Sequence, residues 1–419
     1  MTTIDLSSAV ETNWAGNHRY RARRIEHPRT VEQVQHLVAA EPRVRALGSR
    51  HSFTDITDTD GVLVSLADLP TTVEVDAGSR TARVTGLAAY GDVARALQAQ
   101  GWALPNLASL PHISVAGAVA TGTHGSGDRN GSLATAVAAL EVVRPDGSLV
   151  RIARGEPDFD GSVVSLGALG VVVALTLDVE PTYTVNQRVF TGLGWDTVVE
   201  HYDAITASAY SVSLFTHWGD GGVEQVWLKS RGDDGPADFH DALPAGATMH
   251  MLDGGDTRAV SAQLGEPGPW LDRLTHFRME FTPSRGEELQ SEYLVPRDRA
   301  VEAIEVMRGL GERIAPLLQV CELRTVAADD LWLSSSYGTD VTAFHFTWNR
   351  DVDGVYAVLP AIEEGLLPLG ARPHWGKCFA ADAGALAPLY PRFGDFLALR
   401  DRVDPDRVFG NTFLDRVLG

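Results

Sequence analysis

The chain has few cysteines and no long apolar run. Only Cys321 and Cys378 occur among its 419 residues. Two thiols can build neither a disulfide framework nor a metal site with four cysteine ligands, and they suit a reducing compartment. A run of about 20 apolar residues, which a membrane-spanning helix requires, is absent, and the amino terminus lacks the basic and apolar segments of a secretory signal. We therefore expect a cytoplasmic protein with no membrane partner.

Basic residues are also few. Lys and Arg number 35 against 55 Asp and Glu, which gives a formal net charge of -20 at pH 7. Such a charge repels nucleic acid, and the one local exception is the short cluster from Arg19 to Arg24. No nucleic-acid partner is expected. The length and the 44% hydrophobic content predict a globular protein of two or three domains.

The run from Leu107 to Gly127, LASLPHISVAGAVATGTHGSG, is rich in glycine and other small residues. Such a run destabilises a fold unless a backbone or a ligand must come close, and its hydroxyls and amides are of the kind that bind a pyrophosphate. It contains no Lys or Arg, and it matches neither the P-loop nor a G-x-G-x-x-G that opens a helix. The run predicts a ligand cradle, and a glycine-rich turn region in an ordinary sheet is the alternative.

Apolar periodicity in the first 181 residues predicts an α+β domain that ends at Glu180-Pro181-Thr182. The predicted elements are a helix at 30–40, a strand at 43–47, a turn at 48–52, strands within 61–66 and 73–84, a helix at 90–100, a hairpin of 138–143 and 148–153, and a strand at 172–179.

Alternating strands predict a second α+β unit over residues 182–383. Its expected elements are strands at 211–218 and 225–229, a Gly/Asp-rich linking stretch at 232–256 and a helix at 296–310. Residues 384–419 predict a helical segment ending at Val403-Asp404-Pro405 and a short tail.

Three segments of the second unit carry polar side chains in strand-like surroundings. The period of two places Glu322 with Arg324 on one strand face and His345 with Thr347 on another, while Lys377 lies in a third segment. If these strands are neighbours, one sheet face offers both donors and acceptors, which suits a neutral molecule with many hydroxyls. A group left unpaired there costs about 1–3 kcal/mol, which favours hydroxylated over deoxygenated ligands.

Other interpretations of these residues remain. Glu322 and Arg324 can form a salt bridge on a solvated sheet face, and His345 can be a hydrogen-bonded core histidine. A metal site made of Glu322, His345 and His374 is disfavoured because Arg324 and Lys377 would lie beside the cation.

Several segments resemble the FAD-binding domain of vanillyl-alcohol-oxidase-type flavoproteins. They are Gly48 to Phe53 (GSRHSF), the LPHISVAGAVATGTHGSG run, Ser165 to Val171 (SLGALGV), and Asp404 to Asn411. Other segments resemble bacterial alditol (xylitol) oxidases, and they are Asn13 to Asn17, Cys321 to Thr325, His345 to Trp348, and Arg372 to Lys377. The resemblance covers essentially the whole chain, and the combination of motifs is specific.

The resemblance implies a two-domain α+β flavoprotein. Residues 1–181 would form the FAD-binding domain, 182–383 the substrate (cap) domain with a large antiparallel sheet, and 384–419 a segment that returns to the first domain. The cofactor would be FAD, bonded covalently through its 8α-methyl to His51. The other implied cofactor residues are Leu47, Gly48, Ser49, Arg50, Ser52, Ser109, Ser114, Gly117, Thr121, Gly122, Thr123, His124 and, along the adenine, Val171.

Two features of the FAD segments depart from patterns in related proteins. Arg50 stands where many members of the family have glycine, so a positive φ there would strain the backbone. The TGTHGSG segment has no cysteine, which predicts a single histidyl link to the flavin.

The resemblance further implies oxidation of the terminal primary hydroxyl of alditols such as xylitol and sorbitol to the aldose. Dioxygen would be reduced to hydrogen peroxide, and the enzyme is expected to be a monomer without a metal. The implied substrate-binding residues are Ser109, Glu322, Arg324, Thr347 and Lys377. The predicted catalytic residues are Arg324, Lys377 and His345. An aldonolactone oxidase or dehydrogenase is the nearest alternative, and a non-catalytic flavin- or carbohydrate-binding protein is the other.

Overall fold

The computed structural model describes residues 12–232, 235–281 and 287–419. The polar segment ahead of residue 12 and residues 233–234 of the predicted linking stretch lie outside the described residues. No helix in these ranges is long and apolar enough to cross a membrane.

The described part of the chain is built of strands and α-helices. Its strands are β1 (Arg24–Glu26), β2 (Val44–Leu47), β3 (Val62–Ser65), β4 (Val73–Asp76), β5 (Thr81–Thr85), β6 (Trp102–Ala103), β7 (Val137–Val143), β8 (Leu149–Ala153), β9 (Val171–Asp178), β10 (Glu180–Pro181), β11 (Thr184–Leu193), β12 (Ser211–Thr216), β13 (Val223–Arg231), β14 (Leu243–Pro244), β15 (Gly268–Pro269), β16 (Glu288–Pro296), β17 (Leu318–Val326), β18 (Val341–Asn349) and β19 (Arg372–Pro373).

Its α-helices are α1 (Val31–Ala40), α2 (Tyr90–Ala99), α3 (Val115–Ala120), α4 (Phe159–Val163), α5 (Trp195–Thr206), α6 (Ala300–Ile314), α7 (Val352–Leu366), α8 (Ala383–Leu386), α9 (Phe393–Val403) and α10 (Thr412–Leu418).

Two sheets organise the first domain. Parallel strands form a three-stranded sheet in the order β1-β3-β2, and antiparallel strands form a five-stranded sheet in the order β4-β5-β9-β7-β8. Helix α1 begins as predicted, because the Thr30 hydroxyl accepts a hydrogen bond from the Gln33 amide at 3.3 Å. Its apolar residues Val34 and Val38 are buried in a small core with Val44 and Val171.

A nine-stranded antiparallel sheet organises the second domain. Its order is β14-β11-β13-β12-β17-β18-β16-β19, with β15 paired to β11. Phe344, Phe346 and Trp348 on β18 are buried in the apolar core, to which helices α6 and α7 also contribute. Because side chains alternate along a strand, the residues between these aromatics lie on the opposite, polar face. The predicted two-domain α+β architecture with a large antiparallel sheet is confirmed.

Backbone contacts join the parts of the chain around the polar face. The Gly127 amide donates to the Thr325 carbonyl of β17 at 2.9 Å, and the Phe53 amide donates to the Gly376 carbonyl at 2.8 Å. Asn411, in the C-terminal segment, donates its side-chain amide to the carbonyls of Asp55, Ile56 and Asp58. The C-terminal segment therefore packs on the first domain beside the turn that follows β2.

Several elements differ from the predictions. The helix expected at 296–310 is α6, which starts four residues later because strand β16 continues to Pro296. The glycine-rich run contains the short helix α3, which small Ala and Val residues form between Ser114 and Thr121. Strand β16 and helices α5 and α7 had no counterpart in the sequence prediction.

Candidate active site

A large cavity lies between the glycine-rich loops of the first domain and the polar face of the nine-stranded sheet. It is lined by the turn after β2, by residues of the run that begins at Leu107, by Ser165 to Gly167, and by side chains of β16, β17 and β18. The cavity is therefore elongated, with a backbone-rich end in one domain and a charged end against the other.

The turn after β2 holds His51 against Trp14. The two rings stack with their centroids 5.4 Å apart, and the Trp14 amide donates to the Arg50 carbonyl at 2.9 Å. Arg50 has a φ of 64°, so the position before His51 does adopt the conformation that glycine prefers. Within the described ranges, His51 Nδ1 is buried without a hydrogen-bond partner, and burial lowers the pKa of this imidazole to about 4. His51 therefore presents a neutral ring with an unsatisfied nitrogen.

Gly48 and Gly117 allow the turn and helix α3 to approach closely. A Cβ atom would lie 2.9 Å from Ser114 Oγ at Gly48 and 2.7 Å from it at Gly117. Ser49 and Ser114 are bonded to each other, since each donates its backbone amide to the hydroxyl of the other, at 3.3 and 3.0 Å. The two loops thus form one rigid, glycine-lined wall that can accommodate an elongated, phosphate-bearing cofactor.

Most of the predicted cofactor residues line this cavity, and two do not. Those that line it are Leu47, Gly48, Ser49, Arg50, His51, Ser52, Ser109, Ser114, Gly117, Thr121, Thr123 and His124. Val171 instead packs in the small core of α1, and its neighbour Val172 lines the cavity because successive strand residues face opposite ways. Gly122, with a φ of 67°, shapes the turn after α3 but does not line the cavity.

The strand register brings the predicted polar side chains together. Glu322 on β17 lies directly opposite His345 on β18, and His345 lies opposite Glu292 on β16. In the next row, Thr347 lies opposite Val320 and Gln290. All of these residues line the cavity together with Ser109, Arg324 and Lys377.

Glu292, which the sequence prediction missed, is the centre of the charged end. Its Oε1 lies 2.7 Å from Arg324 Nη2 and 3.3 Å from His124 Nε2, and its Oε2 lies 2.6 Å from Lys377 Nζ. The side chain is 1% exposed. One carboxylate thus holds both predicted catalytic cations, and Arg324 also donates to Ser109 Oγ at 3.2 Å.

Burial and charge pairing set the ionisation of this cluster. Burial raises the pKa of Glu292, but Lys377, His124 and Arg324 together lower it well below its ordinary value. Burial lowers the pKa of Lys377, and Glu292 partly opposes this shift. Burial likewise lowers the pKa of Arg324, but Glu322 and Glu292 together raise it by more. The net shift is upward, and the guanidinium remains charged. The cluster therefore pairs ionised carboxylates with cations.

Glu322 is bound on both of its oxygens. His276 Nε2 lies 2.7 Å from Oε1, while His345 Nδ1 and Arg324 Nε lie 3.4 and 3.6 Å from Oε2. Burial raises the pKa of Glu322, but Arg324 and His276 lower it well below its ordinary value. Glu322 is thus an ionised acceptor whose Oε2 has the longer contacts.

His345 combines burial with an unsatisfied nitrogen. Burial, with the nearby charge of Lys377, lowers its pKa to about 4, so the ring is neutral. In the part of the chain that the structure describes, its buried Nε2 has no hydrogen-bond partner. Its Nδ1 lies 3.4 Å from Glu322 Oε2 and 3.5 Å from Arg324 Nη2, and in the tautomer that directs the Nδ1 proton at Glu322 the Nε2 lone pair is a proton acceptor.

Three residues of the site were not predicted from the sequence. A sequence pattern marks Gln290 and Glu292, but no pattern marks His276. Gln290 and Glu292 alternate with Leu289, Ser291 and Tyr293 in LQSEYLV, which is the same period of two that placed Glu322 and Arg324 on one face. His276 lies in an irregular segment that carries no such pattern. No group of three or more His, Cys, Asp or Glu residues among those described could hold a metal ion.

Two family models match parts of the chain. Residues 22–153 match the FAD binding domain, and residues 281–417 match D-arabinono-1,4-lactone oxidase. The first range contains the turn with His51, and the second contains the polar strands. The glycine-lined wall and the unsatisfied His51 nitrogen are consistent with FAD at the backbone-rich end of the cavity.

Known proteins match over the whole chain. The fold is that of cholesterol oxidase from Brevibacterium sterolicum, with a TM-score of 0.78 at 15% identity over 97% of this chain and 96% of that one. L-gulono-1,4-lactone dehydrogenase from Mycobacterium tuberculosis is 28% identical over 98% of this chain and 100% of the relative. Alditol oxidase from a Streptomyces species is 50% identical over 99% of this chain and 100% of the relative. The chain therefore belongs to the alditol oxidase family of vanillyl-alcohol-oxidase-type FAD flavoproteins.

Proposed function

We propose that this chain oxidises the terminal primary hydroxyl of alditols such as xylitol and sorbitol to the aldose, with FAD as cofactor and dioxygen reduced to hydrogen peroxide. The observation that carries this proposal is the buried face of paired carboxylates and cations in the cavity that also contains the glycine-lined wall. The name of the 50% identical relative favours an alditol over a lactone, since the relatives named for lactones are 28% identical or less over comparable lengths.

The cofactor would lie along the turn after β2 and the glycine-rich run. Gly48 and Gly117 let the turn and the run approach each other closely around Ser114, and the lining residues from Ser49 to Thr123 supply backbone and hydroxyl groups. FAD, when bound, supplies the hydride acceptor and passes the electron pair to dioxygen.

We further propose that His51 carries the flavin covalently. The support is its unsatisfied, buried Nδ1 on a neutral ring that Trp14 holds in place. Acid precipitation followed by peptide mapping tests the link, because yellow colour must then stay with a peptide that contains His51. In His51→Ala the colour should pass into the supernatant, and wild-type protein that releases its colour would contradict the link.

The charged end would bind and orient the polyol. Arg324 and Lys377, held by Glu292, would donate to the reacting hydroxyl and stabilise the negative charge that develops on its oxygen. Glu322 would accept a hydrogen bond from the hydroxyl on the neighbouring carbon. Ser109 and Thr347 would bind hydroxyls farther along the chain and so fix the reacting carbon.

His345 would accept the proton of the reacting hydroxyl on Nε2 while the carbon loses a hydride. Its Nδ1 proton would remain shared with Glu322, whose negative charge stabilises the imidazolium that forms. The alcohol thus loses one hydride and one proton, and the product is an aldehyde. Transfer of that same electron pair, together with two protons, to dioxygen would give hydrogen peroxide, so the hydride and the proton removed from the alcohol balance the reaction.

Anaerobic addition of xylitol to the yellow protein tests the proposed function. Bleaching of the flavin, followed by stoichiometric peroxide on admission of air, is the expected result. L-Gulono-1,4-lactone is the matched comparison, because a protein that bleaches with the lactone and not with xylitol or sorbitol is a lactone enzyme instead. A yellow protein that bleaches with neither is the non-catalytic binding protein.

We also propose that the enzyme acts as a cytoplasmic monomer without nucleic-acid or membrane partners. The support is the formal charge of -20 and the two buried free cysteines. Light scattering of the purified holoenzyme tests the monomer, for which the expected mass is 45.1 kDa plus the flavin. Fractionation of the producing cells tests the compartment.

A further inference from the structure

A second buried chain of polar groups adjoins Glu322: His276 lines the cavity beside it, and Lys229 contacts His276 from outside the lining residues. Lys229 on β13 and His276 are 1% and 4% exposed, and His276 Nε2 lies 2.7 Å from Glu322 Oε1. Neither residue was predicted from the sequence. Burying a lysine this completely is unfavourable unless every ammonium proton has an acceptor.

Lys229 has such acceptors. Its Nζ lies 2.5 Å from the Leu274 carbonyl, 3.2 Å from the Thr275 carbonyl and 3.0 Å from His276 Nδ1. Burial lowers the pKa of Lys229 to about 7, so below that pH its Nζ is an ammonium group that donates three protons and accepts none, and His276 Nδ1 must then be an acceptor. The proton of the neutral His276 ring then lies on Nε2 and is donated to Glu322.

The His276 ring is also fixed by packing and by its backbone. It contacts Trp227 and Phe215 edge-on, with centroid distances of 5.2 and 5.8 Å. Its amide donates to the Ser109 carbonyl at 3.1 Å, and its carbonyl accepts from the Ser261 amide at 2.8 Å. The aromatic packing and the Lys229 contact therefore hold the ring with Nε2 against Glu322, and the backbone bonds connect His276 to the wall that carries Ser109.

We propose that Lys229 and His276 are positioning residues that fix one oxygen of Glu322 and keep the other directed at the substrate hydroxyl next to the reacting carbon. This inference rests on the proposed function, in which Glu322 binds that hydroxyl. Lys229 determines which His276 nitrogen carries the proton, and His276 satisfies Glu322 Oε1. Glu322 Oε2, which lies 3.4 Å from His345 Nδ1 and 3.6 Å from Arg324 Nε, then keeps a lone pair for the substrate hydroxyl, since a carboxylate oxygen can accept two hydrogen bonds.

Without the His276 proton, the buried Glu322 carboxylate would have one unpartnered oxygen. It would then turn toward Arg324, the nearest cation, and shorten that ion pair. Such a turn withdraws the acceptor from the substrate. The loss should therefore depend on whether the substrate has the neighbouring hydroxyl.

Glycerol and 1,3-propanediol supply this comparison, since they differ only in that hydroxyl. For His276→Phe we expect kcat/KM for anaerobic flavin reduction by glycerol to fall about 10- to 100-fold. The value for 1,3-propanediol should change by less than about threefold, since the interaction with Glu322 is absent there. His276→Gln, whose amide can donate in place of Nε2, should recover most of the glycerol value.

Lys229→Met tests the other half of the pair. We expect the same substrate dependence with a smaller loss, and no additional loss when it is combined with His276→Phe. His217→Phe is the matched control, because His217 is half-exposed at the end of β12 and outside the cavity, and both substrates should keep their wild-type values. Where His276→Phe gives no folded holoenzyme, Lys229→Met carries the same test.

The protonation of His276 gives a measurement that does not depend on turnover. Nitrogen-15 NMR of histidine-labelled holoenzyme, assigned with His276→Gln, should show Nε2 protonated and Nδ1 unprotonated in the wild type. Lys229→Met should change this pattern.

The outcomes separate the two proposals. Equal losses with glycerol and 1,3-propanediol, or a His276 ring protonated on Nδ1, would overturn the positioning role and leave the proposed function intact. A wild-type holoenzyme that no polyol reduces would overturn the proposed function, and this inference with it.

Discussion

At the scale of single residues, Glu292 determines the electrostatics of the proposed site. A lone buried cation would lose its proton or destabilise the fold, yet Arg324 and Lys377 are both buried at the charged end of the cavity. The Glu292 carboxylate contacts both cations, at 2.7 and 2.6 Å. The charge that would stabilise a developing alkoxide is therefore maintained by a residue that need not touch the substrate.

Glu292→Gln should weaken both the fold and the charge of Lys377. Removing one partner of a buried ion pair should lower the free energy of unfolding by about 3 kcal/mol. Burial lowers the pKa of Lys377 and Glu292 opposes that shift, so in the variant the pKa of Lys377 falls further. The alkaline decline of kcat/KM should then move to lower pH, which a pH series of anaerobic flavin reduction measures. Glu224→Gln, at an exposed position on β13, is the control and should leave the pH of the alkaline decline unchanged. If the decline does not move in Glu292→Gln, Glu292 does not maintain the charge of Lys377.

His345→Gln tests the proton acceptor. Loss of a general base should lower the rate constant of flavin reduction about 100- to 1000-fold with little change in polyol KM. Because the pKa of His345 is lowered to about 4, the wild-type rate should be independent of pH from about 5 upward until Lys377 titrates. The rate of the variant should instead rise steadily with pH. If His345→Gln keeps the wild-type rate and Lys377→Met loses it, Lys377 is the base.

At the scale of elements, the turn after β2 shows how local conformation bears on the cofactor. Arg50 adopts a φ of 64°, which is unfavourable for residues other than glycine and most unfavourable for β-branched ones. The Trp14 backbone amide donates to the Arg50 carbonyl and the Trp14 ring stacks on His51, so one residue holds both the strained residue and the proposed flavin anchor. The conformation at Arg50 therefore orients the His51 ring.

Arg50→Gly and Arg50→Val separate the backbone of this turn from its side chain. Both variants remove the guanidinium, so the difference between them reports the backbone conformation alone. We expect Arg50→Gly to keep the wild-type fraction of acid-stable flavin and Arg50→Val to lower it, with a free energy of unfolding lower by about 1–3 kcal/mol. Arg80, with a φ of 54° in the exposed turn between β4 and β5, is the control. Arg80→Val should be destabilised but keep its flavin, and equal flavin in both Arg50 variants would contradict the prediction.

The strands explain which parts of the site the sequence could predict. The period of two placed Glu322 with Arg324 and His345 with Thr347 correctly because β17 and β18 pair in regular register through these residues. The same rule applied to β16 would have found Glu292. His276 could not be found in this way, because its position depends on an irregular segment that Lys229 and the Ser109 backbone hold in place.

For the glycine-rich run, composition predicted the role of the segment but not the contacts that hold it. Its composition predicted a ligand cradle, and its residues from Ser114 to His124 do line the cavity with few exceptions. The composition could not show that Ser49 and Ser114 bind each other, since their positions are 65 residues apart in the chain. The pleat of β9 places the Val171 side chain in a core, and the role of this residue toward the adenine, which the resemblance implies, stays a prediction.

At the scale of the whole molecule, the proposed site depends on both domains. Ser109 and His124 come from the first domain, whereas Glu292, Arg324 and Lys377 come from the second region of the chain. The domain limits at residues 181 and 383 remain predictions. The charged cluster joins residues of the first domain to residues of the large sheet. Protonation of the cluster should therefore lower the stability of both parts of the chain.

Acid should destabilise the protein, and His276 should account for a defined part of the loss. The folded-state pKa values of His276 and His345 are lowered from 6.5 to about 4, first because of burial. Between these values the unfolded chain binds protons that the folded chain does not, so the free energy of unfolding falls as the pH falls. Each such histidine contributes a slope of about 1.4 kcal/mol per pH unit, and His276→Gln should reduce the total slope by that amount.

Urea titrations at several pH values from about 6 to about 4.5 measure this slope within the titration window of the two histidines. His217 is the matched control because its pKa is raised by Glu224, so its stabilising effect is fully present below about 6.5 and is lost only at higher pH. His217→Gln should therefore leave the acid slope unchanged. If the free energy of unfolding of His276→Gln has the same dependence on pH as that of the wild type, His276 takes up its proton in the folded protein. The assignment of a neutral His276 ring that donates to Glu322 would then be wrong.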